Sequence, residues 1–469
     1  MHTSIKNIGF NPYLPSWEYV PDGEPHVFDD RVYIYGSHDK FNGHVFCLND
    51  YVCWSAPVDD LRQWRYEGEI YKKSDDPLNP DGRMCLYAPD VAKGTDGRYY
   101  LYYVLDKASV VSVAVCATPA GKYEFYGYVQ YPDGSRYGER FGDEPQFDPG
   151  VLTEGKITYL YTGFCGKGDT SRSGALGVAL AADMLTITDG PYTVVPGTCY
   201  GEGTEFAGHE YFEAASIRKL GDTYYLVYSS APMHELCYAT SKNPLRDFKY
   251  GGVIISNCDM HIGSYKHAGK PTNFTANNHG SIEEINNQWY IFYHRHTNGT
   301  WYSRQACLEK IDINGDGYIA QVCMTSQGGN GGPLPGCGEY PAYIACNVFR
   351  ADDKDGPYPR ITQDGKDGDE EQGYIADISD LAVIGFKFFD CTGIKSVKVK
   401  TRGYCNGLFE VSTSWQDKPL GEIQVEFSNI WTEFKADINI PDGVHAIFFT
   451  YKGGGSAQMA SFTLDDNDS

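Results

Sequence analysis

Positive charge is what this chain has little of. Lysine and arginine number 39 against 62 aspartates and glutamates, giving a formal charge of −23 and a pI of about 4.9. Such a chain does not hold nucleic acid or an anionic membrane by charge, and the surplus acids read as solvated surface. Long apolar runs are also missing. No stretch approaches the roughly 18 residues that a membrane-spanning helix needs. The 14 cysteines show no CxxC or zinc-ligand spacing, which argues against a structural metal framework. Several of them (Cys47, Cys53, Cys116, Cys237, Cys307 and Cys323) stand in apolar, strand-like stretches and read as buried thiols, which favours a reducing compartment. The opening MHTSIKNIGFNPYLPSW has no basic-then-apolar run, so a cytoplasmic location is expected, with secretion left open. Helical periodicity is weak throughout.

What the chain has in abundance is tyrosine and glycine, 38 and 53 of them in 469 residues, with aromatics at 14%. That suits short strands and turns. The stretch FEAASIRKLGDTYYLVYSS, residues 212–230, shows the recurring unit: an acid, an apolar run, a tight turn, then an aromatic strand. Aligning Tyr33, Tyr100, Tyr159, Tyr225 and Tyr290 places Asp22, Asp90, Asp148, Glu213 and His279 ten to twelve residues upstream of them, at intervals of 59 to 67 residues. Near-fixed repetition of one strand-turn-strand unit marks radial or stacked architecture. The expected fold is therefore all-β, a five-bladed propeller followed by a β-sandwich of jelly-roll type.

The expected domains are a propeller over 1–325, a linker and inter-domain crossing, partly packed, over 326–372, and a sandwich over 373–469. Residues 1–21 read as a loose lead-in. SQGGNGGPLPGCGEYP, 326–341, is the clearest break in composition. Beyond it FKFFD, SVKVKTRG, FEVSTSW, GEIQVEF, WTEFKADI, HAIFFTYKG and ASFTL alternate apolar and polar residues between turns, as sandwich strands do. The tail LDDNDS reads as disordered.

Five hairpins that start at one repeat position point those positions at one centre. Carboxylates gathered there raise one another's pKa, and burial raises it further. Two such groups across a sugar-sized cleft, one protonated and one ionised, can hydrolyse a glycosidic bond with inversion when they stand roughly 6.5–9.5 Å apart. A third carboxylate can tune the acid. Asp22, Asp148 and Glu213 suit these needs, although spacing alone does not assign their roles.

The residues also resemble a known family. PDGEPHVFDDRVYIYGSHD, LYAPDVAKGTDGRYYLYY, FDPGVLTEGKITYLYTGF, FEAASIRKLGDTYYLVYSS and NNHGSIEEINNQWYIFYHRH, in order over about 15–325, are similar to the motifs of glycoside hydrolase family 43, whose fold is a five-bladed β-propeller. The resemblance implies that Asp22 is the general base, Asp148 the modulator of the acid's pKa and Glu213 the general acid. The base of the family usually stands in Asp-Pro, whereas here Gly23-Glu24-Pro25 follows Asp22, so Glu24 is a lesser candidate. Asp90 and Tyr87 lie in a motif similar to the family's WAPD, with tyrosine in place of tryptophan, and are candidates for lining the substrate pocket; Asp90 also suits a structural role. Arg295 resembles an arginine near the sugar, or serves as a blade salt bridge. His279 matches a histidine that contacts a central, mostly hydrated calcium in the family, or is a core histidine; calcium prefers oxygen ligands. No other cofactor is implied.

Residues from about 340 resemble a family 6 carbohydrate-binding module. GGGSAQMASFTL, however, lacks the asparagine that such modules present and offers only Phe462, and Tyr404 and Trp415 read as sandwich residues before sugar-stacking ones. The implied activity is that of a β-xylosidase or α-L-arabinofuranosidase on xylo- or arabino-oligosaccharides. The alternatives are an endo-arabinanase, a galactan-directed hydrolase, or a sugar-binding propeller without catalysis. The expected partner is an oligosaccharide or polysaccharide, with neither nucleic acid nor membrane; the sugar, the linkage and the oligomeric state do not follow from the residues.

Overall fold

A computed structural model of the chain describes residues 9–262, 269–352 and 358–466. Within them the fold is all-β. Four sheets of four strands and one of three follow one another along the chain, from Glu24–Phe28 to Arg304–Ile311. The first strands of the five sheets are Glu24–Phe28, Asp90–Lys93, Gly150–Glu154, Tyr211–Leu220 and Ile282–Ile285. Each lies against the next around a common axis, the last returning to the first, in the radial layout of a five-bladed propeller. The aligned tyrosines Tyr33, Tyr100, Tyr159, Tyr225 and Tyr290 all fall in the second strand of their blade.

Five apolar cores fill the gaps between neighbouring blades. Tyrosine suits them because its ring buries large apolar area while its hydroxyl still finds an acceptor. Tyr102 donates to the Met184 carbonyl at 2.7 Å and Tyr35 to the Pro119 carbonyl at 2.8 Å. Cys53, Cys237 and Cys307 are buried free thiols in strands, as read from the sequence, whereas Cys47 lies in a loop with φ at 58°.

The lead-in is not loose where it is described. Tyr13 and Leu14 are buried in the core between the fifth and first blades. The Tyr13 N–H donates to the Ala306 carbonyl at 3.1 Å, and the buried Asn11 side chain donates to the Leu308 and Thr325 carbonyls at 2.8 and 3.1 Å. This segment lies against the outer strand of the three-stranded fifth blade and joins it to the first. Residues 1–8 lie outside the described residues.

Beyond the propeller, two six-stranded sheets bury one shared core, in which Phe386 of one sheet meets Phe462 of the other at 4.5 Å between ring centroids. All seven stretches that read as strands in this half contain strands. The stretch 326–372 differs from a linker. Leu334–Pro335, Gly338–Pro341, Asn347–Arg350 and Arg360–Thr362 are strands of those two sheets, so the second body begins well before residue 373. Its glycines and prolines mark turns between short edge strands rather than a free crossing. Leu464 and Asp465 of the tail close the strand Ala457–Asp465, and 467–469 lie outside the described residues.

The two bodies share a polar interface. Lys387 pairs with Asp259 at 2.6 Å with both side chains fully buried, and Asp259 also accepts from Asn347 at 2.9 Å. Among the described residues no helix is long and apolar enough to cross a membrane.

Candidate active site

The strand register explains which repeat positions reach the pocket. Glu24, Asp90 and Gly150 open their strands opposite Tyr35, Tyr102 and Tyr161, so they occupy equivalent places. Asp22 and Asp148 stand two residues earlier, one layer nearer the mouth, and Ala88 is their counterpart in the second blade. Asp22, Ala88 and Asp148 line a pocket of about 360 Å³ at the propeller axis. Asp90 is not among the lining residues. It is fully buried, accepts the N–H groups of Val91 and Val151 at 2.7 Å each, and meets His26 at 2.6 Å. Asp90 stands ten residues before Tyr100, against eleven for Asp22 and Asp148 before their tyrosines, and it is the strand register that places it in the deeper layer. Asp90 staples the second blade to the third.

Glu213 reaches the pocket by another device. The pairing of Tyr211–Leu220 with Thr223–Ser230 slips between Glu213 and Ser216, and Ala214 takes φ of 69°. The bulge turns Glu213 inward. Asp22 and Asp148 also adopt left-handed φ, 57° and 44°. Such conformations are costly for residues other than glycine and concentrate at functional sites.

Asp22, Asp148, Glu213, His279 and Tyr87 all line the pocket, joined by Arg304, which sequence reasoning missed. Arg304 is almost fully buried. Its Nη1 donates to both carboxylate oxygens of Asp22 at 2.8 and 3.1 Å, and its Nε and Nη2 donate to Asp39 at 2.8 and 3.0 Å. His294 stands behind Asp22. Its Nε2 donates to the Asn277 carbonyl at 3.0 Å, which leaves Nδ1 to accept the Asp22 N–H at 3.4 Å. Burial alone would raise the Asp22 pKa, but Arg304, with a smaller contribution from His279, holds it well below the usual carboxylate range.

Glu213 is treated in the opposite way. Burial first, and the Asp148 charge second, push it up to about 8, against a weaker pull from the Asn277 side chain, which donates to Oε1 at 3.2 Å. Asp148 is itself raised by burial, while His279, 3.6 Å away, pulls it back. His279 is desolvated but gains more from Asp148 and the other acids, and rises to about 9. Two carboxyl groups whose pKa values are driven apart by their surroundings are what separates an acid from a base.

Arg295 is not at the pocket. Strand residues alternate in direction, and His294 and His296 face Asn277 beside the acids. Arg295 faces the other way. It donates to Gln305 Oε1 at 2.8 Å and to the carbonyls of Tyr343 and Ala345 at 2.7 and 2.8 Å, bridging the fifth blade to the C-terminal body. Glu24 lies one layer below the acids. Its Oε2 accepts from Ser216 and Arg218 at 3.0 and 3.1 Å, and Oε1 has no hydrogen-bond partner among the described residues.

Aromatic rings form the walls. Tyr87, Phe147, Phe164 and Phe212 follow in sequence, with centroids 5.4, 5.3 and 5.2 Å apart. Phe46 and Trp301 complete the lining. A pocket with apolar faces and a few convergent charges suits a polyol ring, whose C–H faces stack and whose hydroxyls need partners.

Residues 19–319 match the profile of Glycosyl hydrolases family 43. The chain belongs to this family. A protein named xylosidase/arabinosidase from Thermoclostridium stercorarium is 69% identical over 97% of this chain and 98% of its own length. Among solved structures, a family 43 β-xylosidase/α-arabinofuranosidase from a compost microbial metagenome, in complex with xylotriose, is 26% identical, covers 66% of this chain and 97% of its own, and superposes with a TM-score of 0.51. A family 43 arabinoxylan arabinofuranohydrolase from Bacillus subtilis shares the fold over 99% of both chains, with 22% identity and a TM-score of 0.53. The protein is thus a glycoside hydrolase. Its family membership was legible in the five motifs around the acids, whereas Arg304, His294 and Asn277 carry no repeat signature.

Proposed function

We propose that this family 43 protein is an inverting hydrolase of xylo- or arabino-oligosaccharides, with β-xylosidase or α-L-arabinofuranosidase activity. The observation that carries this reading is the pair of opposed carboxyl environments in one aromatic pocket: Asp22 held ionised by Arg304, and Glu213 held protonated by burial beside Asp148. The 69% identical xylosidase/arabinosidase supports the sugar class.

In this reading Asp22 takes a proton from a water, and the water oxygen attacks the anomeric carbon from the face opposite the leaving group. The bond from that carbon to the glycosidic oxygen breaks as Glu213 gives its proton to that oxygen. One sugar leaves as a hemiacetal of inverted configuration and the other as an alcohol. Proton exchange with water then restores Asp22 and Glu213. Asp148 keeps Glu213 protonated without touching the transferred proton. NMR of the first product from an aryl xyloside or arabinofuranoside should show the anomer opposite to the substrate; a retained anomer refutes inversion.

Calcium is the one cofactor this reading includes. The residues fit such an ion once His279 gives up its Nε2 proton: the unpartnered, buried Glu24 Oε1 lies 3.9 Å from His279 Nε2 at the axis, and these two atoms would hold it with water completing the shell. Bound there, it would supply positive charge next to the His279–Asp148 pair. Isothermal titration of chelator-treated protein should find one calcium site that Glu24→Gln weakens; an unaltered affinity in that variant removes Glu24 from the site.

We read the C-terminal body as a β-sandwich similar to a carbohydrate-binding module but structural in role. Support comes from Phe462, which is fully buried, and from Trp415, packed edge-on against Phe349 at 5.5 Å. Tyr404, by contrast, is 80% exposed. Affinity electrophoresis in xylan should show no retardation that Tyr404→Ala abolishes; such a loss would make this body a sugar binder.

A further inference from the structure

Two loops shape the mouth of the pocket, and both are held from the C-terminal half. Residues 39–50 bring Phe46 and Cys47 to the lining, and residues 297–303 bring Trp301, which is 44% exposed at the rim. The loops are tied to each other. The Asn42 N–H donates to Ser303 Oγ at 3.2 Å, and the Asn298 amide to Asn42 Oδ1 at 3.3 Å. Asn42, Cys47 and Asn298 have φ of 56°, 58° and 55°. Left-handed conformations persist where the surroundings over-determine them.

Those surroundings are residues 360–367. Asp367 Oδ1 accepts the Phe41 N–H at 2.6 Å and its Oδ2 accepts from the Asn49 amide at 3.1 Å, so one carboxylate gathers both ends of the first loop. On the second loop, the Asn298 N–H donates to the Ile361 carbonyl at 2.7 Å, and Asn298 Oδ1 accepts from Thr362 and Arg360 at 2.9 and 3.2 Å. Arg360–Thr362 pairs with Tyr374–Ile378, which makes the segment part of a C-terminal sheet. Tyr19 donates to Gln363 at 2.7 Å and fastens it to the propeller. The first loop also leads to the chemistry, because its Asp39 holds Arg304 and its Phe46 ring lies 4.8 Å from the Arg304 guanidinium.

We propose that residues 360–367 form a clasp that fixes the pocket mouth for the part of the substrate beyond the sugar being released, with Asp367 as its chief positioning residue. This rests on the glycosidase reading. The acids lie at the axis, so whatever packs against Phe46 and Trp301 at the rim is the leaving-group side. Asp367 is not among the pocket-lining residues. Losing it therefore loosens binding at the rim before it disturbs proton transfer, which appears as a rise in KM with kcat largely kept.

The test compares full-length wild type, Asp367→Ala and Asp367→Asn on xylotriose and on an aryl arabinofuranoside, with melting curves and trypsin cleavage after the exposed Lys40 followed by mass spectrometry. For Asp367→Ala, KM on the better substrate should rise roughly tenfold, with kcat within about threefold of wild type. Cleavage after Lys40 should quicken several-fold while cleavage after Lys156, on a distant turn, stays the same. Asp367→Asn keeps an acceptor for the Phe41 N–H and should fall between the two. A folded Asp367→Ala protein with unchanged KM, or one that loses kcat alone, overturns the clasp. Wild type inactive on both substrates would refute the glycosidase reading instead; the clasp would then be decided by the Lys40 cleavage rate, with no change in Asp367→Ala overturning it.

Discussion

Arg304 on the fifth blade places Nη1 2.8 Å from Oδ1 of Asp22 on the first, across 282 residues of sequence. The contact sets which carboxyl stays ionised. Asp22 would be raised by burial; with Arg304 removed, the largest opposing attraction goes. Arg304→Met should therefore move the acidic limb of kcat/KM against pH upward, since the base must now lose its proton at higher pH. Arg304→Lys keeps a charge but not the fork to Asp22 and Asp39, so its limb should lie between. The pH profiles of the three proteins decide this, and an acidic limb common to all three would remove Arg304 from control of the base.

The two catalytic assignments separate by leaving group. Asp22→Asn leaves no group to activate water, so aryl and alkyl glycosides should both slow by roughly 10²–10⁴-fold. Glu213→Gln leaves the departing oxygen without a proton. Its loss should be of similar size on xylobiose yet much smaller on a 4-nitrophenyl glycoside, whose leaving group needs no acid. Steady-state rates on both substrates test it, and parallel losses in the two variants would contradict the assignment.

At the interface between the bodies, Lys387 and Asp259 form a fully buried ion pair at 2.6 Å. Lys387→Met strands the Asp259 carboxylate away from water and should cost about 3–5 kcal/mol of stability. Asn347 and the Met324 N–H still reach that carboxylate and temper the loss. Pairing the change with Asp259→Asn should return part of it. Denaturant unfolding of the single and double variants measures the coupling, which vanishes if the two positions are independent.

These contacts also show what the sequence could and could not reveal. The tyrosine ladder was visible because each blade repeats it, and it located the second strand of every blade. Counting upstream from it found Asp22, Asp148 and His279 at eleven residues, and Glu213 at twelve because a bulge adds to its strand. The same count could not tell Asp90, one layer deeper, from a pocket acid without the register. Arg304 stands on a third strand, where no repeat position marks it. Arg295 shares the run His294-Arg295-His296 with two site residues but points to the opposite face, and only the partner carbonyls of Tyr343 and Ala345 reveal why it is charged. The strands of 334–362 were hidden by glycine and proline, because short edge strands leave little periodicity to read.

Asp148 should govern the pH range of the enzyme without carrying the proton. Glu213 is raised to about 8 by burial and then by the Asp148 charge. Asp148→Asn removes the charge and leaves the burial. Glu213 then ionises at lower pH, and the basic limb of kcat/KM, which reports loss of the acid's proton, should move toward acid. A second effect runs the other way. His279 owes much of its raised pKa to Asp148, 3.6 Å from it, and without that partner it holds its proton less well. Less positive charge beside Glu213 favours the protonated acid. The direct effect is the greater, because Asp148 acts on Glu213 more strongly than His279 does. The net shift should be about one pH unit or less, downward. The acidic limb should move less, although coupled carboxyls share macroscopic values. The measurement is kcat/KM against pH for wild type and Asp148→Asn, on xylobiose, whose leaving group needs the acid. A basic limb that stays in place, or rises, would leave Asp148 with no part in tuning Glu213.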